Sequence, residues 1–186
     1  MQRLCSIKNV LRDTLFGNLN KKCIVYTNTA SCLDQMQSDI ELWLDGNDDI
    51  KGDVLVINGD LKPEVKFASV ERFTMLVEEP ENVINNNQFY PRILLATAGS
   101  IGAGLDSPDV YTVCRASFSQ SIFELAQELG RCGRGCSNPN GIVTDNVHLL
   151  LTLDDFIYLN TRLYLPSPAV PSNITPILLP HEEIAM

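Results

Sequence analysis

The chain has 186 residues, 45% of them hydrophobic and 20% charged, with a formal net charge of −9. That length and apolar content suit one folded domain plus a short extension, and they exclude a wholly disordered chain. The acidic balance argues against a broad basic surface for nucleic acid, and no apolar run reaches the ~18–20 residues of a membrane span. The charge is uneven: residues 1–33 sum to +4, residues 34–81 to −9 and residues 82–186 to −4. The charged start, MQRLCSIKNVLRD, lacks the apolar core of a secretory signal, so an intracellular location, nuclear or cytoplasmic, is expected.

In chain order, residues 3–16 read as a helix with Leu4, Ile7, Val10, Leu11 and Leu15 on one stripe. Residues 23–26 form a short buried strand. Ser31 reads as an N-cap for a helix over 32–44 that Gly46 ends. Residues 53–57 are a second strand, and Pro63 opens a helix over 63–77. After a polar connection at 78–91 come strands at 92–96 and 110–114, a helix at 120–129, a strand at 147–151 and a helix at 154–164. The last helix closes a domain spanning 1–165, and the proline-rich stretch 166–186 reads as an extended tail. Short apolar strands alternating with helices predict an α/β fold with a mostly parallel sheet covered on both faces. In such a sheet function collects at the carboxyl ends of the strands.

The six cysteines include no C-x-x-C pair, which favours free, mostly buried thiols over a disulfide framework. Zinc is disfavoured: Cys132 and Cys136 lack a second pair, His148 lies inside a strand and His181 in the tail.

Two segments invite chemistry. In LLATAGSIGAGLDSPDV (94–110) a buried strand opens at Thr97 into a loop with Gly99, Gly102 and Gly104, followed by Asp106. Such a loop can offer amides to phosphate and a carboxylate to a ribose, or it can be a plain connection. In QELGRCGRG (127–135) a helix with Phe123, Leu125, Ala126 and Leu129 on its apolar side runs into two Gly-Arg pairs. Arg131 and Arg134 are expected outside the core, with both guanidinium forks pointing at one anion. The chain has no G-x-x-x-x-G-K-[S/T] phosphate cradle, so a nucleotide addressed by these arginines must be held elsewhere.

These segments resemble the second RecA-like lobe of superfamily 2 helicases, most closely the RecQ family of DNA helicases. The likeness runs from about residue 20 to 165 through CIVYTNTASCLDQMQSDI, VLVINGDLKPEVKFASVERFT, ILLATAGSIGAGLDSPDVYTV and QELGRCGRG. The form Q-E-x-G-R-x-G-R is the one that sets RecQ-like enzymes apart from DEAD-box RNA enzymes. The resemblance implies a three-layer RecA-like lobe. Arg131 and Arg134 would be arginine fingers toward ATP, whose Mg2+ is held mainly by a missing first lobe. Gly104, Asp106 and Gln127 would face the nucleotide or couple it to the lobe interface. Thr27 and Thr97 would lie near a bound single strand of DNA. The implied partners are a P-loop-bearing first lobe, in the same longer chain or a separate subunit, and single-stranded DNA. The implied role is 3′-to-5′ DNA unwinding in repair or recombination, and this chain alone would not hydrolyse ATP. One departure is Asn58-Gly59-Asp60-Leu61, where the family usually has a histidine before Ala-Gly-Leu. The alternative is a non-catalytic, degenerate lobe that binds and regulates another protein through its acidic face.

Overall fold

A computed structural model of the chain describes residues 2–16, 21–47, 50, 52–75, 91–101, 105, 107, 109–119, 121–132, 134, 146–151 and 155. The chain divides into two units, Met1–Thr152 and Leu153–Met186, and apart from Asp155 everything described belongs to the first. Apart from Asp155, which is helical, the expected helix at 154–164 and the tail from 166 therefore lie outside the described residues.

The elements are α1 (Gln2–Leu15), β1 (Lys22–Thr27), α2 (Ala30–Asp45), β2 (Asp53–Ile57), α3 (Pro63–Thr74), β3 (Pro91–Thr97), β4 (Val110–Arg115), α4 (Ile122–Leu129) and β5 (Asn146–Leu149). The five strands form one sheet in the order β2-β3-β1-β4-β5, and every neighbouring pair is parallel. Apart from β2, the element bounds shift by one to three residues from the sequence reading, and two of the shifts concern helix ends read from caps. The second helix starts at Ala30, so Thr29, not Ser31, occupies the N-cap position, and it makes no side-chain cap. The third helix stops at Thr74, where Met75 turns to extended backbone.

Side chains alternate across the central strands, and this builds the layers. Cys23 and Val25 of β1, with Ile93 and Leu95 of β3, face Ile7, Leu11 and Leu15 of α1 and Leu33 and Ile40 of α2. Ile24 and Tyr26, with Leu94 and Ala96, face Phe73 of α3 and Leu129 of α4. The result is a three-layer RecA-like α/β fold. Right-handed crossovers explain the placement. The chain travels outward from β1 to β2 and back from β2 to β3, so α2 and α3 must cover opposite faces. Each fully buried Leu, Ile or Phe here stabilises the fold by about 1.5–3 kcal/mol.

Two buried cations brace the amino ends of the strands. Lys22 is fully buried, paired with Asp109 at 2.7 Å and donating to the Met75 carbonyl at 2.8 Å. Burial pulls its ammonium below the ordinary lysine range, opposed by Asp109. Arg92 donates from Nη2 to the Leu15 carbonyl at the end of α1, at 3.1 Å. So part of the basic character of the first 33 residues belongs to the interior.

Among the described cysteines, Cys23 and Cys114 are buried thiols and Cys5 and Cys32 are exposed ones. Burial pushes Cys23 and Cys114 up to about 12. A thiolate-directed reagent should therefore label Cys5 and Cys32 in the native protein but reach Cys23 and Cys114 only after denaturation. Equal labelling rates, followed by peptide mass spectrometry, would contradict this packing.

Candidate functional site

The chain changes sides between β1 and β4. The loop after β1 leads to α2 on one face, and the loop after β4 leads to α4 on the other. This is a topological switch point, and it opens a crevice at the carboxyl ends of those two strands.

A buried polar network spans the crevice. Arg115, the last residue of β4, is fully buried, and its Nη1 donates to Glu128 Oε1 at 3.0 Å. Its Nε donates to the Ser117 carbonyl at 3.0 Å, and its Nη2 donates to Asn28 Oδ1 in the loop after β1. Asn28 Nδ2 in turn donates to the Phe118 carbonyl at 2.8 Å. One guanidinium thus ties together the ends of β1 and β4 and the helix α4. Burial pushes the Glu128 carboxyl above the usual carboxylate range, and Arg115 pulls it back only in part.

Beside the network lies a cavity of about 90 Å3 lined by Tyr26, Gly99, Ile101, Glu124, Gln127, Glu128 and Arg131. The Tyr26 hydroxyl is buried beside Arg131, and among the described residues the buried Glu128 Oε2 meets no hydrogen-bond donor. Burial holds the Tyr26 hydroxyl protonated far above the ordinary phenol range. Gly99 adopts a φ of +70°, which lets the turn after β3 fold back toward Glu124.

The helix α4 begins where the Ser121 hydroxyl accepts from the Glu124 amide, at 3.4 Å. It ends at Gly130, where an added Cβ would meet the Ala126 carbonyl at 3.0 Å. Arg131 then turns inward. It is only 8% exposed, and its Nη1 donates to the Leu105 carbonyl at 2.9 Å. Arg134 is exposed, and its Nε donates to the Gly130 carbonyl at 2.9 Å, fixing the guanidinium at the helix end.

This corrects the expectation that both arginines project from one loop. Arg131 is part of the cavity wall and Arg134 lies on the surface. The apolar side expected of α4 holds only in part: Leu129 packs on the core and Leu125 is half-buried, but Phe123 and Ala126 are exposed. Phe123 is 79% and Ile122 71% exposed, and the buried residue of the helix is Glu128. Burial there follows the ion pair with Arg115, which hydropathy cannot register.

Thr27 and Thr97 are brought together as register partners at the ends of β1 and β3. Both are buried, and the Thr27 carbonyl accepts from the Ala98 amide at 2.9 Å. The polar surface at these strand ends is made by their neighbours Asn28, Thr29 and Gly99, which are exposed. Gln127 is exposed at the cavity mouth. Gly104 and Asp106 lie outside the described residues. Sequence reasoning missed Asn28, Arg115 and Glu128. An arginine closing an otherwise apolar strand, one side of a helix away from Glu128, was the available signal.

Residues 6–136 match the family described as the helicase conserved C-terminal domain. The chain belongs to that family. This helicase C-terminal domain is similar in fold to several solved structures of superfamily 2 helicase lobes. The C-terminal part of the Fun30 ATPase domain has a TM-score of 0.57 and 15% identity, over 95% of this chain and 50% of that one. Domain 2 of the DEAD-box helicase Mss116p, bound to an RNA duplex, gives 0.60 and 16%, over 84% and 51%. The RNA helicase Prp28 from Chaetomium thermophilum, bound to ADP, gives 0.58 and 20%, over 87% and 33%. The chain thus spans about half or less of each of these structures. No curated protein matches it. Within the family, the finer RecQ likeness rests on the sequence, above all on Gln127 to Arg134.

Proposed function

We propose that this helicase C-terminal domain serves as the second lobe of an ATP-dependent DNA helicase of RecQ type. In this reading it completes the nucleotide site of a P-loop-bearing first lobe. The observation that carries the reading is that Arg131 and Arg134 follow α4 beside the switch-point crevice, with Arg134 exposed.

Tested against ATP, the residues fit one half of a site. The chain has no phosphate cradle of its own, so the triphosphate and Mg2+ belong to the other lobe. A guanidinium fork anchored through Nε to Gly130 suits phosphate oxygens presented from outside. Bound ATP supplies the free energy of the cycle. Arg134 would stabilise charge on the terminal phosphate when the lobes close. Arg131, seated against Leu105, would fix the angle at which the turn meets the other lobe. Gln127 at the cavity mouth would sense closure. Nucleic acid would run across the ends of β1 and β3, contacting Asn28, Thr29 and the backbone around Gly99, with the buried Thr27 and Thr97 supporting that surface.

DNA as substrate is supported by the Gln-Glu form at 127–128. A second reading, an RNA strand, is supported by the resemblance in fold to Mss116p, whose domain 2 is bound to an RNA duplex. Fluorescence anisotropy with single-stranded DNA and RNA oligonucleotides over a salt series separates the two. The proposal expects weak DNA binding whose log affinity falls linearly with log salt. Preference for RNA would replace DNA by RNA in the proposal. No binding of either at low salt would instead support a regulatory module docking through its acidic surface.

A further inference from the structure

The Arg115 network joins two regions that the proposed function assigns to different ligands, and the inference below rests on that reading. On one side Arg115 holds Asn28, the first exposed residue after β1, where the strand would pass. On the other it holds Glu128, three residues before Arg131 and six before Arg134. The connection is direct, side chain to side chain, and it crosses the switch point.

We propose that Asn28, Arg115 and Glu128 form a coupling latch, in which Asn28 and Arg115 are positioning residues that transmit nucleic-acid binding to the arginine-bearing turn after α4. Three observations support it. First, Arg115 has no solvent exposure, so its donors are committed inward and a shift of any partner moves the guanidinium. Second, Glu128 is the fully buried residue of α4, so this ion pair, together with the packing of Leu129 on the core, seats that helix against the crevice. Third, Glu128 Oε2 meets no donor among the described residues, and the adjoining cavity leaves room for the carboxylate to shift with the helix. A packed apolar contact in its place would leave no such room. The carboxylate's neighbours there are Glu124 and Gln127 on its own helix, Arg131 after it, Arg115 on β4 and Tyr26 on β1.

The test compares Asn28→Ala with Asn28→Asp in the complete helicase, this chain together with its P-loop lobe. ATP turnover is measured with and without saturating single-stranded oligonucleotide, alongside the oligonucleotide concentration for half-stimulation. Asn28 is exposed, so both variants should fold, and thermal denaturation checks that they do. The latch predicts that Asn28→Ala lowers the stimulation ratio by about tenfold at saturating oligonucleotide, within the usual range of coupling between sites. It predicts that Asn28→Asp, which keeps an acceptor for Arg115, restores the ratio. If Asn28 merely contacts phosphate, Asn28→Asp will be worse than Asn28→Ala and both will change half-stimulation only, which overturns the latch. An unchanged ratio in Asn28→Ala overturns it as well. A parent protein whose turnover no nucleic acid stimulates would overturn the helicase reading, and the latch with it.

Discussion

In the complete helicase, Arg134→Ala should lower ATP turnover on the order of 10³-fold, the scale seen when a guanidinium that stabilises phosphoryl transfer is removed. The fold of the lobe should be largely kept, because Arg134 is exposed and its Nε donates to a backbone carbonyl, that of Gly130. Arg134→Lys should recover little, since an ammonium has charge but no planar fork. Arg131 should behave differently. It is 8% exposed and holds the Leu105 carbonyl, so Arg131→Ala should cost activity and also roughly 1–3 kcal/mol of stability from the buried acceptor left without its donor. Steady-state ATPase assays beside urea denaturation separate the two effects. Equal losses of stability in both variants would contradict the inward turn of Arg131.

The largest expected effect on stability comes from the ion pair beneath the site. Glu128→Ala leaves Arg115 charged and buried without its carboxylate, and breaking a buried pair from one side costs about 3–5 kcal/mol. Arg115→Ala should cost a similar amount. The double variant Arg115→Met/Glu128→Met removes both charges and should be far less destabilised than the sum of the single changes. The carboxyl also leaves a signature in pH. Its value in the fold is raised above the ordinary 4.5, so its contribution to stability is fully present below that value and declines as pH rises through the raised one. Glu128→Gln should remove that decline, read as a flatter plot of unfolding free energy against pH. Additive single and double effects would mean the two groups do not form one pair.

The layers of the fold were legible because β1, β3 and β4 are continuous apolar runs bounded by helical periodicities. That pattern belongs to strands covered on both faces. The second strand was placed at 53–57, where the structure has it. The start of α2 was misread because Thr29 and Ser31 both suit an N-cap, and the structure uses the earlier one without a side-chain bond. The site was legible only in part. Glycine and arginine spacing pointed to Gly99, Arg131 and Arg134, and the turn at Gly99 and the end of α4 are where they were sought. Spacing could not say which arginine turns inward, because that depends on Leu105, a residue from another loop. Nor could it find Glu128 as a buried group. Its burial requires Arg115, 13 residues away in sequence, and hydropathy scores each of them as a surface residue. Long-range ion pairs of this kind are invisible to local pattern.

The central claim is that this lobe completes a nucleotide site it does not itself hold. The most direct measurement is single-turnover ATP hydrolysis by the P-loop lobe alone, by this chain alone and by the two together, with single-stranded DNA present. The account predicts no hydrolysis by this chain, slow hydrolysis by the P-loop lobe and a large acceleration on combining them that Arg134→Ala abolishes. Turnover by this chain alone, or a mixture no faster than the P-loop lobe, would contradict it.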